Sequence, residues 1–384
     1  MTADWQLPTA YWRLLTGNWQ PVLFTFARME STAKRVLVAP LDWGLGHATR
    51  SIPIIHELQA QGAEVMICAS GGGKLLLTEI FPNCRFIDIP GINIRYPQTG
   101  SMAFSMLMQM PSILKAIRTE HDQLQTIIDA YKITHTISDN RFGLYSSKTK
   151  SAFITHQVHI KSSNSLKFLE PVLFRMNQSR IAKFDELWIP DNSPPNNLSG
   201  TLSDTSRLTI KVKHLGTLSR FTKSTSQPEK KFDCIALLSG PEPQRSILEK
   251  RLVTYFNNSS KKCLVIRGMP GGEKFQETEV VKCISSISDS ELQNILHPDT
   301  LLICRPGYST LMDLAMLGHR KTLFIPTLGQ TEQEYLAMEM KNKYGYPLVL
   351  QNQNFSFEDL PIGKPLPDFK NQNALKKTIG EFLS

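Results

Sequence analysis

What this sequence lacks narrows it first. No apolar run approaches the length needed to span a bilayer. The run Pro21–Phe26 is too short for the core of a signal peptide. The six cysteines, at positions 68, 84, 234, 263, 283 and 304, show no paired metal spacing. Most fall in expected strands, so buried free thiols in a reducing compartment are expected. No basic stretch is interleaved with aromatics, which argues against a dedicated nucleic-acid reader. There is no Asp-x-Asp pair and no ligand cluster, so no metal site is expected. Gly44-x-Gly46 lacks the third glycine of a dinucleotide fingerprint, because Thr49 stands there.

Negative charge is also in deficit. Lys and Arg total 43 against 34 Asp and Glu, a formal charge of +9. That balance favours anionic partners such as nucleotide sugars, nucleic acid or an acidic membrane face. At 384 residues the chain suits two domains. Residues 1–28 hold Trp5, Trp12 and Trp19 without a periodic core pattern, so they read as a poorly packed extension, with translation starting at Met29. The alternative is an interfacial anchor built on Trp and Arg.

The most informative stretch is Leu301–Leu336. Leu301–Cys304 reads as a fully buried parallel strand that breaks at Arg305-Pro306-Gly307. Ser309 or Thr310 is then expected to cap a helix. Thr322–Ile325 is the next strand, and a helix starts near Thr331. Each loop aims a helix N-terminus past the carboxyl end of a strand, which suits a phosphate. Asp313 lies one turn further in, where a carboxylate can accept from ribose hydroxyls. An ordinary α/β repeat with a glycine turn has the same spacing.

The same alternation runs through the rest. Val36–Ala39 is a strand followed by Gly44-x-Gly46-His47 and a helix through Ile52, Ile54, Ile55 and Leu58, with Pro53 fitting only an early turn. Gly71-Gly72-Gly73 reads as a turn before a helix. Residues 102–130 are helical with a Met-rich opening, either adaptable core or a patch facing lipid or a partner. Three further strands end at Asp139, at His156 and at Asp191, where parallel sheets hold ligands. Residues 192–231 turn polar, placing a linker at 218–231. The chain restarts with the strand Cys234–Leu238 and a glycine loop at Gly240, and a later strand ends at Arg267.

These motifs resemble the donor-binding segment of glycosyltransferase family 28, the family of the MurG transferase. Its C-R-S-G-x-x-T-x-x-E pattern reads here as Cys304, Arg305, Pro306, Gly307, Thr310 and Asp313. Its Q-Q-Y loop is met by Gln333-Glu334-Tyr335, and its G-G-H loop by Leu45-Gly46-His47. Asp313 for Glu and Glu334 for Gln depart from the family.

The resemblance implies an α/β GT-B architecture: two doubly wound Rossmann-like domains facing a cleft. Residues 29–217 would bind acceptor, 232–370 would bind nucleotide sugar, and the helix 371–384 would cross back. The donor side would comprise Gly240, Arg267, Ile287, Arg305, Gly307, Ser309, Thr310, Asp313, Gln333 and Glu334, with Ile287 at the position whose backbone reads the uracil edge. The acceptor side would comprise Gly44, Gly46 and His156. His47 is the leading general base, with Asp42 and Asp139 as rivals.

The expected activity is inverting, metal-independent transfer from a UDP-sugar, UDP-GlcNAc among the options, to a glycan or lipid-linked acceptor of the cell envelope. No cofactor beyond the donor substrate and no nucleic acid is expected. The expected location is cytoplasmic, with peripheral association at the inner face of the membrane as one option. A nucleotide-sugar epimerase of the same fold and a non-catalytic nucleotide-sugar-binding protein are the alternatives.

Overall fold

The computed structural model describes the chain apart from residues 1–33, 43–44, 90–101, 223–227, 270–277, 355 and 368–371. The expected extension 1–28, the start at Met29 and the loop glycine Gly44 therefore lie outside the described residues.

Short apolar runs form two parallel sheets. The first contains β1 (Arg35–Pro40), β2 (Glu64–Ile67), β3 (Arg85–Phe86), β4 (His135–Asp139), β5 (Lys150–Ile154), β6 (Glu186–Ile189) and β7 (Lys211–His214). Their spatial order is β3-β2-β1-β4-β5-β6-β7. The second contains β8 (Cys234–Leu237), β9 (Cys263–Ile266), β10 (Val281–Ile284), β11 (Leu301–Cys304) and β12 (Thr322–Phe324), ordered β10-β9-β8-β11-β12. All five residues of β4 and all four of β11 are buried, as strands covered on both faces must be. Chain order reverses between β1 and β4 in one sheet and between β8 and β11 in the other. Ligands of open α/β sheets lie outside the strand ends at such points.

Helices cover the sheets: α1 (Leu45–Ala60), α2 (Gly71–Ile80), α3 (Met102–Tyr131) and α4 (Glu170–Ile181), then α5 (Gln244–Asn257), α6 (Asp289–Ile295), α7 (Tyr308–Leu317), α8 (Thr331–Tyr344) and α9 (Gln372–Leu383). The last returns to the first sheet. Phe382 meets Trp188 of β6 and His135 of β4 edge-on, at centroid distances of 4.9 and 5.0 Å. Lys150 Nζ donates to the α9 carbonyls of Glu381 and Phe382 at 3.0 and 2.9 Å, a cation on a helix C-terminus.

Three local expectations are corrected. The triple glycine is not a turn but the first turn of α2. This turn lies against α1: a Cβ on Gly73 would come into contact with Ala48 Cβ at 3.4 Å. Pro53 lies inside α1 rather than early in it. Burial of Ile52, Ile54, Ile55 and Leu58 outweighs the backbone bond it forfeits. Gly307, not Ser309 or Thr310, occupies the N-cap of α7, and both hydroxyl residues fall inside the helix.

Candidate active site

The reversal point of the first sheet gathers four polar side chains. His47 enters on the opening turn of α1, Arg50 follows one turn later on the same face, Asp139 ends β4, and His156 follows β5. Arg50 grips Asp139 with both arms: Nε donates to Oδ2 at 2.6 Å, and Nη2 contacts Oδ1. Nη2 also lies 2.8 Å from His47 Nδ1, and Nη1 lies 3.2 Å from His156 Nδ1. His47 Nδ1 is in turn 3.1 Å from Asp139 Oδ1. Arg50, Asp139 and His156 are buried, whereas the His47 side chain keeps 16% of its exposure.

The second sheet supplies the opposite wall. His156 Nε2 is 2.8 Å from Glu332 Oε1, in the first turn of α8. Its ring stacks on Tyr308, the first residue of α7, at 4.0 Å and 6°. Tyr308 donates its hydroxyl to the Pro190 carbonyl at 2.9 Å. Ser309 Oγ donates to the Gly46 carbonyl at 2.9 Å, and Thr331 Oγ1 donates to the Lys161 carbonyl at 2.8 Å. The N-termini of α1, α7 and α8 thus meet around His47 and His156.

Burial pushes the His47 pKa below the usual histidine value. The Arg50 charge adds to this, and Asp139 opposes it. Burial alone would raise the Asp139 carboxyl, but Arg50 and His47 hold it well below the usual range. Glu332 is also lowered, its burial outweighed by His156.

The other expected residues divide. Asp42 accepts from the Ser70 backbone N–H at 3.1 Å and from the Ser70 hydroxyl, so it anchors the start of α2 instead of facing His47. Arg305 is turned into the scaffold. It is buried at 1% exposure and donates to the carbonyls of Ile325 and Pro326, both at 2.9 Å, and to Gln351. Burial lowers its pKa to about 10. Arg267 donates to Glu249 at 2.6 Å, and Glu249 also holds Arg245. Gln333 and Glu334 accept from the backbone N–H groups of Thr327 and Gly329 at 2.8 and 3.0 Å, shaping the loop before α8.

Asp313 is half-buried toward the connection between the sheets. It accepts from the Ser219 hydroxyl at 2.7 Å and lies 3.5 Å from Arg220 Nε. Burial raises its pKa to about 6, against the pull of Arg220 and Ser219. It and Thr310 line a cavity of about 20 Å³, room for a water and not for a ribose. Gly240 (φ 103°) and Gly307 open loops at the ends of β8 and β11, and Ile287 packs its side chain against the core.

Sequence reasoning missed Arg50 and Tyr308. Spacing offered one signal, since Arg50 stands three residues after His47 on a helix. No three His, Cys, Asp or Glu side chains converge to hold a metal among the described residues.

Two doubly wound parallel sheets whose loops meet across a cleft define the GT-B fold, and this chain has it. No family model and no curated protein sequence matches it. Solved structures do. Arabidopsis thaliana UGT89C1 complexed with UDP-L-rhamnose shares 13% identity at a TM-score of 0.56, covering 92% of this chain and 94% of that one. The glycosyltransferase SnogD from Streptomyces nogalater shares 14% at 0.51, covering 91% and 95%. Phytolacca americana UGT2 complexed with UDP-2fluoro-glucose and pterostilbene shares 12% at 0.52, covering 92% and 94%.

Proposed function

We propose that the protein is a glycosyltransferase that moves a sugar from a nucleoside-diphosphate donor, UDP-linked, to an acceptor hydroxyl. One observation carries the reading: a half-buried histidine held beside Asp139 faces the N-termini of α7 and α8. Structural neighbours solved with UDP-sugars support it, as does the family 28 resemblance of the 304–335 loops.

In this mechanism His47 takes the acceptor proton. The acceptor oxygen attacks the anomeric carbon from the face opposite the diphosphate. The sugar–oxygen bond to the diphosphate breaks, its electron pair stays on the leaving phosphate, and the configuration inverts. Helix N-termini stabilise the charge that develops there, so no metal clamp is required.

An apolar or lipid-linked acceptor is favoured by the exposed side chains of Met108 and Leu114 on α3, next to Lys115 and Arg118. UDP-GlcNAc is one donor to test.

A mass-spectrometric assay with a panel of UDP-sugars and hydroxylated acceptors, with and without EDTA, tests the proposal. UDP plus glycosylated acceptor in both conditions is expected. An isomerised UDP-sugar without acceptor consumption would make the protein an epimerase. Binding without turnover would make it a sensor. Turnover abolished by EDTA and restored by Mg²⁺ would contradict metal independence.

A further inference from the structure

The position of Arg50 raises a question that the acid–base reading leaves open. Guanidinium nitrogens only donate. With Arg50 Nη1 3.2 Å from its Nδ1, His156 accepts there, and its Nε2–H donates to Glu332. His156 thereby links Arg50 to α8.

His47 is in a different position. Its Nδ1 lies between a donor, Arg50 Nη2 at 2.8 Å, and an acceptor, Asp139 Oδ1 at 3.1 Å. One nitrogen cannot serve both. If Nδ1 accepts from Arg50, the ring proton of neutral His47 sits on Nε2, and that nitrogen can only donate. If Nδ1–H donates to Asp139, Nε2 carries the lone pair that a general base needs.

We propose that Arg50 is a positioning residue that selects the tautomer of His47. The shorter approach of Nδ1, 2.8 Å to Arg50 Nη2 against 3.1 Å to Asp139 Oδ1, makes Nε2 the donor, and release of the Nη2 contact in favour of Asp139 turns Nε2 into the base. The inference rests on the proposed role of His47 and deepens it. Arg50 needs little movement to let go, because its Nε–Asp139 bond and its His156 contact can persist. His156 is tied to Glu332, so the hold on Arg50 includes α8 of the second sheet. The grip on the base is thereby sensitive to how the two sheets approach. The charged and titratable groups that act on His47 are Arg50 on its own helix, Asp139 from β4, His156 after β5 and Glu332 from α8.

The test is ¹⁵N-histidine NMR on the full chain without ligands, with His47 assigned by a His47→Gln control. The wild-type ring should show an unprotonated Nδ1 and a protonated Nε2 above its titration. Arg50→Met should reverse that pattern, with Nδ1–H bonded to Asp139. If the transferase reading holds, the acid limb of kcat/KM should also move upward in Arg50→Met by about one pH unit or more, as loss of an adjacent cation requires.

Arg50→Met leaves Asp139 unpaired. Arg50→Met combined with Asp139→Leu removes both charges and the acceptor for Nδ1–H, and is the control for folding. In it the single-variant pattern should be lost. A wild-type His47 with Nδ1 protonated overturns the proposal without any variant. So does an unchanged ring in folded Arg50→Met. The NMR readout does not depend on turnover, so inactivity toward every nucleotide sugar would defeat the transferase reading and leave this one standing.

Discussion

His47 and Asp313 show how burial sets chemistry one residue at a time. A base must be neutral to accept, and His47 is pushed below the usual histidine value by burial and by Arg50. The acid limb of kcat/KM should therefore lie below about pH 6.5, as a pH–rate profile would show. His47→Ala should lower kcat by ~10²–10⁴-fold while UDP affinity by calorimetry changes little. Wild-type kcat with weakened acceptor binding would move His47 to a binding role and leave Asp139 as the base to test.

Asp313 works in the opposite sense on stability. Its folded pKa of about 6 exceeds the ordinary 3.8, so the folded chain binds this proton more tightly than the unfolded chain. The resulting stability is complete below the unfolded value and is lost as pH rises through about 6. The shift corresponds to roughly 3 kcal/mol. Asp313→Asn should flatten that slope, and urea midpoints at several pH values check it. Parallel slopes in the two proteins would rule out Asp313 as the source.

The long-range pairings behind both were not legible in sequence. Asp139 lies 89 residues from Arg50, and Ser219 lies 94 from Asp313. No periodicity reports such separations.

Elements were far more legible. Continuous apolar runs such as Leu301–Cys304 have little alternative to a buried parallel strand, and their ends located His47, Asp139 and His156. What misled was context. Glycine at the start of α2 reads as flexibility until α1 is seen lying against it, and a hydroxyl beside Gly307 reads as a cap until its bond to Gly46 is known.

The fully buried Glu120–Arg141 pair, at 2.8 Å, ties α3 to the loop after β4. Gly143 of that loop has no room for a side chain, since a Cβ would fall 2.5 Å from both Glu120 Cβ and the Ile117 carbonyl oxygen. Gly143→Ala should therefore cost about 1–3 kcal/mol by overpacking. Its thermal melt checks this, and an unshifted melting temperature would mean that α3 yields freely.

At the scale of the molecule, the excess of positive charge and the exposed Met108 and Leu114 beside Lys115 and Arg118 form a candidate surface for anionic lipid. Among the described residues no helix is long and apolar enough to cross a membrane. Co-sedimentation with anionic vesicles in low salt is expected, declining as salt screens the attraction. Indifference to such vesicles would favour an acceptor free in solution.

The return of α9 has a consequence for the order in which the chain is made. A ribosome completes every strand of the first sheet before it begins the second, yet Phe382 reaches Trp188 and His135 only after the second sheet has been translated. Until then the first half presents uncovered apolar surface to the nascent-chain environment. A fragment that stops before α9 should be captured by chaperones, not released as a finished domain.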